Sequence, residues 1–316
     1  MRTRVGLRSV APIAALVALS VTLAGCQRWN SVKAMYYFKE ANTAYQQQEY
    51  EEAVENYELA VGLDPSLSAG YFYLGNSYDN LYRPARAGEP ENDALLEQAL
   101  ENYARAADTE TDPARKKLSL QYLVSVFGPD KMNDPYQAEP ILQELVELDP
   151  DDTTNYFALV KLYEDSGRYE EAEAVLENLR TQRPDDTEVY LQMAGYYNRQ
   201  GEFDQTMAAL QERTRIEPEN PEAYYTIATH YWDKAFRDLR LTDEEKREYV
   251  LSGIEAVDRA LEIRDSYIDA LVYKGLLLRL QATLETDVGR QNALLAEADD
   301  LRERAEELQA QQQTGM

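Results

Sequence analysis

One histidine and one cysteine in 316 residues leave little for metal or thiol chemistry. His230 cannot by itself make a histidine-rich metal site, and a lone thiol, Cys26, can form no disulfide within the chain. Glycine-rich phosphate loops are missing as well. The acidic run Asp149-Pro150-Asp151-Asp152 has the opening of a calcium loop, but neither glycine nor glutamate follows at the sixth and twelfth places. It reads instead as a helix start, where carboxylates suit the positive end of the helix dipole. Positive charge is scarce: 32 basic residues face 58 acidic ones, a net formal charge of −26. Such a surface as a whole repels nucleic-acid phosphates and anionic lipid headgroups, so no nucleic-acid partner is expected. No cofactor, metal or catalytic residue is expected either. His230 has no serine or cysteine partner pattern around it, and carboxylates this numerous do not mark a poised acid–base pair.

What charge there is divides unevenly. The first 25 residues carry Arg2, Arg4 and Arg8 and no acid, followed by an apolar run from Val10 to Leu23 that is short for a membrane span. The run closes on Leu23-Ala24-Gly25-Cys26, with small residues ahead of the only cysteine. This resembles the bacterial lipobox, in which the signal is cut off and the cysteine becomes a lipidated first residue. The resemblance implies a signal peptide over 1–25, lipidation (palmitate among the acyl groups) at Cys26, and a short lipidated tether over 26–33. With the three signal arginines removed, 29 basic residues face 58 acidic ones, a net charge of −29. Gln27 stands where an aspartate often holds lipoproteins at the inner membrane, so the expected location is the periplasmic face of the outer membrane. Trp29, beside Arg28, is read either as an interfacial aromatic or as a packing residue under the first helix.

From residue 34 onward the sequence repeats every 34 residues, with helical apolar spacing in each half and a proline or turn between units. Residues 153–186 carry Tyr156, Leu159, Tyr163, Gly167, Tyr169, Ala172, Leu176 and Pro184. Residues 187–220 carry Tyr190, Met193, Ala194, Tyr197, Gly201, Phe203, Leu210 and Pro218. This spacing is similar to that of the tetratricopeptide repeat (TPR) family. The implied fold is all-α, a right-handed superhelical solenoid of about seven TPR-like helical hairpins. The hairpins are expected at 34–67, 68–111, 112–150, 153–186, 187–220, 221–265 and 268–310, with a polar tail at 311–316. Small residues, Ala41, Gly75, Ala194, Ala228 and Gly275, are expected where helix A of a hairpin touches helix B. Four hairpins hold extra residues between the two helices, around Arg83–Pro90, Gly128–Pro135, Leu239–Lys246 and Thr283–Arg290. They are read as loops on one edge, either a second contact surface or tolerated loop growth.

In TPR proteins the A helices line a groove that grips peptides or helices. Carried over by position, the resemblance assigns to it Phe38, Phe72, Phe157, Leu191 and Tyr225 at the fifth place. It assigns Asn42, Asn76, Lys161 and Thr229 at the ninth, and Tyr45, Asp79, Asn198 with Arg199, and Trp232 at the twelfth. Aromatics interleaved with amides suit an extended peptide. Phe38 and Phe72 replace the cations of a carboxylate clamp and could equally pack inward. Of the 24 tyrosines, most, including Tyr57, Tyr71, Tyr78, Tyr103, Tyr163, Tyr190 and Tyr231, stand at core places of the repeat. The whole resembles TPR lipoproteins of the bacterial envelope, a class that includes pilotins and a subunit of β-barrel assembly. That resemblance implies an adaptor or assembly scaffold that binds envelope proteins and touches the membrane through its lipid. The alternative is a protein that binds peptidoglycan or another glycan through exposed aromatics.

Overall fold

A computed structural model describes the backbone of residues 11–314 and the side chains of residues 29–313. Residues 1–10 and the Cys26 side chain, on which the signal and lipid readings rest, lie outside the described residues. The described chain is all-helical and forms seven consecutive hairpins. They are α1 (Ala11–Gln46) with α2 (Tyr50–Leu63), α3 (Ser68–Leu81) with α4 (Pro90–Thr109), and α5 (Pro113–Val126) with α6 (Pro135–Leu148). Then come α7 (Thr153–Asp165) with α8 (Tyr169–Gln182), α9 (Thr187–Gln200) with α10 (Phe203–Ile216), α11 (Pro221–Arg237) with α12 (Asp243–Ile263), and α13 (Ile268–Leu284) with α14 (Val288–Thr314). The chain divides into two compact units, Met1–Val175 and Leu176–Met316. Each is a stretch of TPR-type solenoid.

The starts of the helices follow from local chemistry. Pro90, Pro113, Pro135 and Pro221 occupy first helical positions, where a missing N–H costs nothing and φ is already helical. Asp112, Asp134, Asp152, Asp186 and Asn220 each accept a backbone N–H from the first turn. Asp152, from the acidic run, accepts from the Thr154 N–H at 3.0 Å. In hairpins one, four and five the turns share one geometry. Gly167 and Gly201 take left-handed φ of 70° and 78°, two residues before Tyr169 and Phe203. Gln48 holds the same place two residues before Tyr50 with φ 62°, a conformation that strains a side-chain-bearing residue.

Close approach of the paired helices needs the small residues. Ala41, Ala194 and Ala228 are buried, and a Cβ on Gly75 of α3 would stand 3.0 Å from the Tyr103 ring and 3.1 Å from the Ala99 carbonyl of α4. Hairpin three has its small buried residue in Ser119 of α5, whose hydroxyl donates to the Arg115 carbonyl. Tyr57 and Tyr103 are fully buried, and Tyr71, Tyr163 and Tyr190 nearly so.

Two of the four insertions are corrected. In hairpin six, only Asp238–Thr242 is non-helical, and most of the extra residues lengthen α11 to 17 and α12 to 21 residues. The Thr242 hydroxyl and the Glu245 carboxylate close a capping box there, which starts α12 inside the stretch expected to be loop. Hairpin seven likewise keeps only Glu285–Asp287 between helices of 17 and 27 residues. Hairpins two and three do carry loops, with one 3₁₀ turn at Pro84–Arg86 in the former. At the chain ends, helix replaces the tether and part of the tail: α1 runs through residues 26–33 and α14 reaches Thr314. Residues 27–31 therefore advance about 8 Å at about 1.5 Å per helical residue, less than half the reach of extended chain.

Candidate functional site

In the first unit the A-helix residues meet one another. Tyr73, which the positional scheme passed over, is the hub: its ring lies 5.5 Å from Tyr45, 6.1 Å from Tyr57, 6.4 Å from Phe38 and 5.3 Å from Phe72. Phe72 continues the chain of rings to Tyr103 at 5.9 Å and Tyr122 at 5.2 Å, so aromatic contacts run from hairpin one to hairpin three. Phe38 and Phe72 are half-buried. The amides between them hold phenols: the Tyr57 hydroxyl donates to Asn42 at 2.7 Å, and Asn76, itself buried, accepts from Tyr45 and from the Asn80 amide. Burial raises the pKa of Tyr45, Tyr57 and Tyr103, keeping these phenols protonated as donors.

Asp79 is tied rather than open. Lys131, from the loop of hairpin three, pairs with it at 2.6 Å, and the Tyr103 hydroxyl lies 3.5 Å away. Other polar ties join neighbouring hairpins of this unit. Arg168 reaches Glu139 at 2.5 Å, holding that carboxyl below its ordinary pKa, and Lys117 pairs with Asp149 at 2.7 Å and with Asp152. At the joint of hairpins two and three, Glu110 accepts from Arg115, the Asp112 N–H and the Ser68 hydroxyl. These bonds, that of Arg115 foremost, lower its pKa to about 2.

In hairpin four, Phe157 is half-buried, and the exposed Lys161 pairs with Asp165 at 2.5 Å. Both members of that pair stand on the rim of a cleft of about 220 Å³, walled by Val124, Phe127, Pro129, Leu142 and Leu162. Sequence reasoning placed Lys161 but missed the cleft, whose only signal was the Gly128-Pro129 insertion that forms one wall.

The second unit arranges its aromatics differently. Leu191 is half-buried on α9, while Asn198 and Arg199 are exposed at the end of that helix. On α11, Tyr225 lies 5.3 Å from Tyr273 and 5.2 Å from Tyr267, and Trp232 lies 5.8 Å from Tyr273 and stacks on Phe236 at 4.9 Å. These five rings make a patch across α11 and α13. Its Phe236 edge is 56% exposed, against full burial of Tyr57 and Tyr103 in the first unit. Burial, then the neighbouring Tyr273, pushes the Tyr225 pKa up to about 12. Thr229 turns its hydroxyl to the Thr226 carbonyl at 2.7 Å. His230 is half-buried, and desolvation lowers its pKa against the opposing pull of Asp233, which leaves a neutral imidazole at neutral pH. A larger cleft of mixed lining, about 750 Å³, opens between α10, α11 and α12, among Tyr224, Ile227, Leu251, Glu255 and Arg259. No motif signalled it. Among the described residues, no group of three or more His, Cys, Asp or Glu could hold a metal ion.

The TPR sequence pattern is matched by residues 34–67 and 131–195. No curated protein sequence matches the chain. The solved C-terminal part of a TPR repeat-containing protein from Cytophaga hutchinsonii is 14% identical with a TM-score of 0.52, covering 86% of this chain and 98% of that one. A TPR protein from Parabacteroides merdae is 13% identical with a TM-score of 0.43, over 84% and 98% of the two chains. YrrB, described as a TPR protein with an unusual peptide-binding site, is 20% identical with a TM-score of 0.33, over 75% and 90%. The chain thus carries TPR repeats, and the first of these likenesses extends the fold over most of its length. None of them transfers an activity.

Proposed function

We propose that this protein is a lipid-anchored interaction scaffold of the bacterial envelope, non-catalytic, which takes a partner's peptide or helix on its A-helix aromatics. The observation that carries the reading is the ring patch of α11 and α13. Tyr225, Trp232, Phe236, Tyr267 and Tyr273 offer area at low entropy cost, and Phe236 is open to solvent. The anchor rests on the basic start, the short apolar run and Leu23-Ala24-Gly25-Cys26, and an outer-membrane address rests on Gln27. Partners are envelope proteins; a surface on which acidic residues outnumber basic ones two to one favours basic or neutral segments. Glycan binding is the weaker reading, because sugar stacking needs an open indole face and Phe236 covers one face of Trp232.

Crosslinking of the full chain in its native membrane, followed by mass spectrometry, tests the scaffold. A reproducible envelope partner lost in the Trp232→Ala, Tyr225→Ala double variant supports it; a partner retained undiminished moves the site elsewhere. Fractionation of Cys26→Ser after globomycin treatment of the parent tests the anchor, which fails if processing and membrane association are unchanged in both.

A further inference from the structure

The first helix leaves one side uncovered. Trp29, Val32, Met35 and Tyr36 of α1 are 62, 63, 54 and 60% exposed. At 3.6 residues per turn, Trp29, Val32 and Tyr36 fall on one face, opposite the side that buries Ala34 and Ala41 and half-buries Phe38. Among the described residues, no other helix covers this face of α1. A solenoid end in water is ordinarily polar. The last helix, α14, conforms, with Arg302, Glu303, Glu306 and Glu307 exposed along its length. The apolar face of α1 does not.

Charge says what covers it. In a chain of net charge −26, residues 27–48 hold three basic side chains, Arg28, Lys33 and Lys39, against one acid, Glu40. Lys33 and Lys39 are exposed and flank the apolar stripe on either side, and the Lys33 ammonium lies 5.6 Å from the Trp29 ring centroid. An indole, a phenol and aliphatics bordered by lysines are the composition of a helix lying in a headgroup region. A second copy of the same face is a poor fit, since it would bring Lys33 and Lys39 against the same lysines.

We propose that this face of α1 lies on an anionic lipid surface, so that the bilayer itself covers it. The proposal rests on the anchor reading, because Cys26 stands three residues before Trp29 and brings the face to the membrane. It adds an orientation: α1 runs along the surface instead of rising from it.

Depth at Tyr36 decides the matter, because this residue is ten positions beyond Cys26. It would stand about 15 Å from the anchor along a helix axis pointing away from the bilayer. The chain has only two tryptophans, so the full-length protein with Trp29→Phe, Trp232→Phe and Tyr36→Trp carries a single indole. It is purified from membranes and reconstituted into phosphatidylcholine–phosphatidylglycerol vesicles, with and without lipids brominated in the acyl chain. The expected result is a blue-shifted emission quenched at least twofold by bromine. That quenching is lost when Val32→Asp is added or phosphatidylglycerol is left out. Emission of a water-exposed indole, quenched by acrylamide and indifferent to bromine, overturns the proposal. So does a dimer in sedimentation that buries this indole without vesicles. Intact mass of the same sample reads acylation of Cys26 separately. An acylated chain with a wet indole keeps the anchor and loses the surface, whereas an unacylated chain with a quenched indole does the reverse.

Discussion

Hairpins one to three and hairpins six and seven draw on the same aromatic positions of the same repeat and reach different ends. In the first unit, Phe38, Tyr45 and Phe72 are gathered around Tyr73, and their neighbouring amides, Asn42 and Asn76, accept bonds from Tyr57 and Tyr45. In the second unit, Tyr225 and Trp232 gather around Tyr273 with Phe236 left in solvent. The difference lies in the second ring at each place. Tyr73, on hairpin two, is met by Phe38, Tyr45 and Tyr57 of hairpin one, whereas Phe236 stands a turn beyond Trp232, on the stretch by which α11 exceeds the common 14 residues. An inserted turn of helix thus converts a packing position into a surface. A repeat's positional scheme identifies which residues are aromatic, not whether a partner or the chain itself covers them.

The comparison is most severely tested by removing rings on each side of it. Tyr103→Ala deletes a fully buried ring that touches Phe72, Tyr122 and the Gly75 backbone region. It is expected to cost about 3–5 kcal/mol in denaturant unfolding and to weaken hairpins two and three first. If that cost falls below about 1 kcal/mol, the first unit's rings are not its core.

Next in size is Glu110→Gln, at about 2 kcal/mol, because a nearly buried carboxylate loses its charge-assisted bonds from Arg115 and the Asp112 N–H. Its folded pKa lies below the ordinary value near 4.5. The stabilisation is therefore complete above pH 4.5 and is lost as pH falls toward about 2. Urea titrations from pH 6 to pH 2 should show a shallower acid decline for the variant than for the parent. Parallel curves would mean that the joint between hairpins two and three does not depend on this group.

Trp232→Ala should be a binding change more than a folding one. Partner capture is expected to fall at least tenfold, about 1.4 kcal/mol, while the unfolding midpoint moves little. The reverse outcome would make the second unit like the first.

The smallest expected effect compares the turns. Gly201→Ala should destabilise by about 1 kcal/mol, since φ 78° disfavours a Cβ, whereas Gln48→Gly should gain up to about 1 kcal/mol by relieving the same geometry at φ 62°. Equal signs from thermal melts would contradict a shared turn conformation.

How much of this the sequence discloses varies with the range of the interaction. Hairpin limits are legible because their causes are local: Pro113, Pro135 and Pro221 open helices where proline suits the first turn, and Gly167 and Gly201 sit at the left-handed corner. The insertion in hairpin six was legible in principle. Thr242 and Glu245 are a capping-box pair three residues apart, yet a charged run among matched repeats reads as loop. The coupling of Lys131 to Asp79 spans 52 residues and depends on where a loop folds, which no period encodes. The roles of the groove candidates escape for a similar reason. Asn76 looks the same in sequence whether its oxygen awaits a peptide or already holds Tyr45; only the partner's position tells the two apart.

Those long-range ties have a mechanical consequence. Tyr45 to Asn76, Lys131 to Asp79 and Arg168 to Glu139 are directional bonds, one across each successive junction of the first unit. A load drawn through the chain would meet them in series, and each must rupture before the next hairpin can peel away. Extension of this stretch in an optical trap should proceed as a staircase with one step per junction.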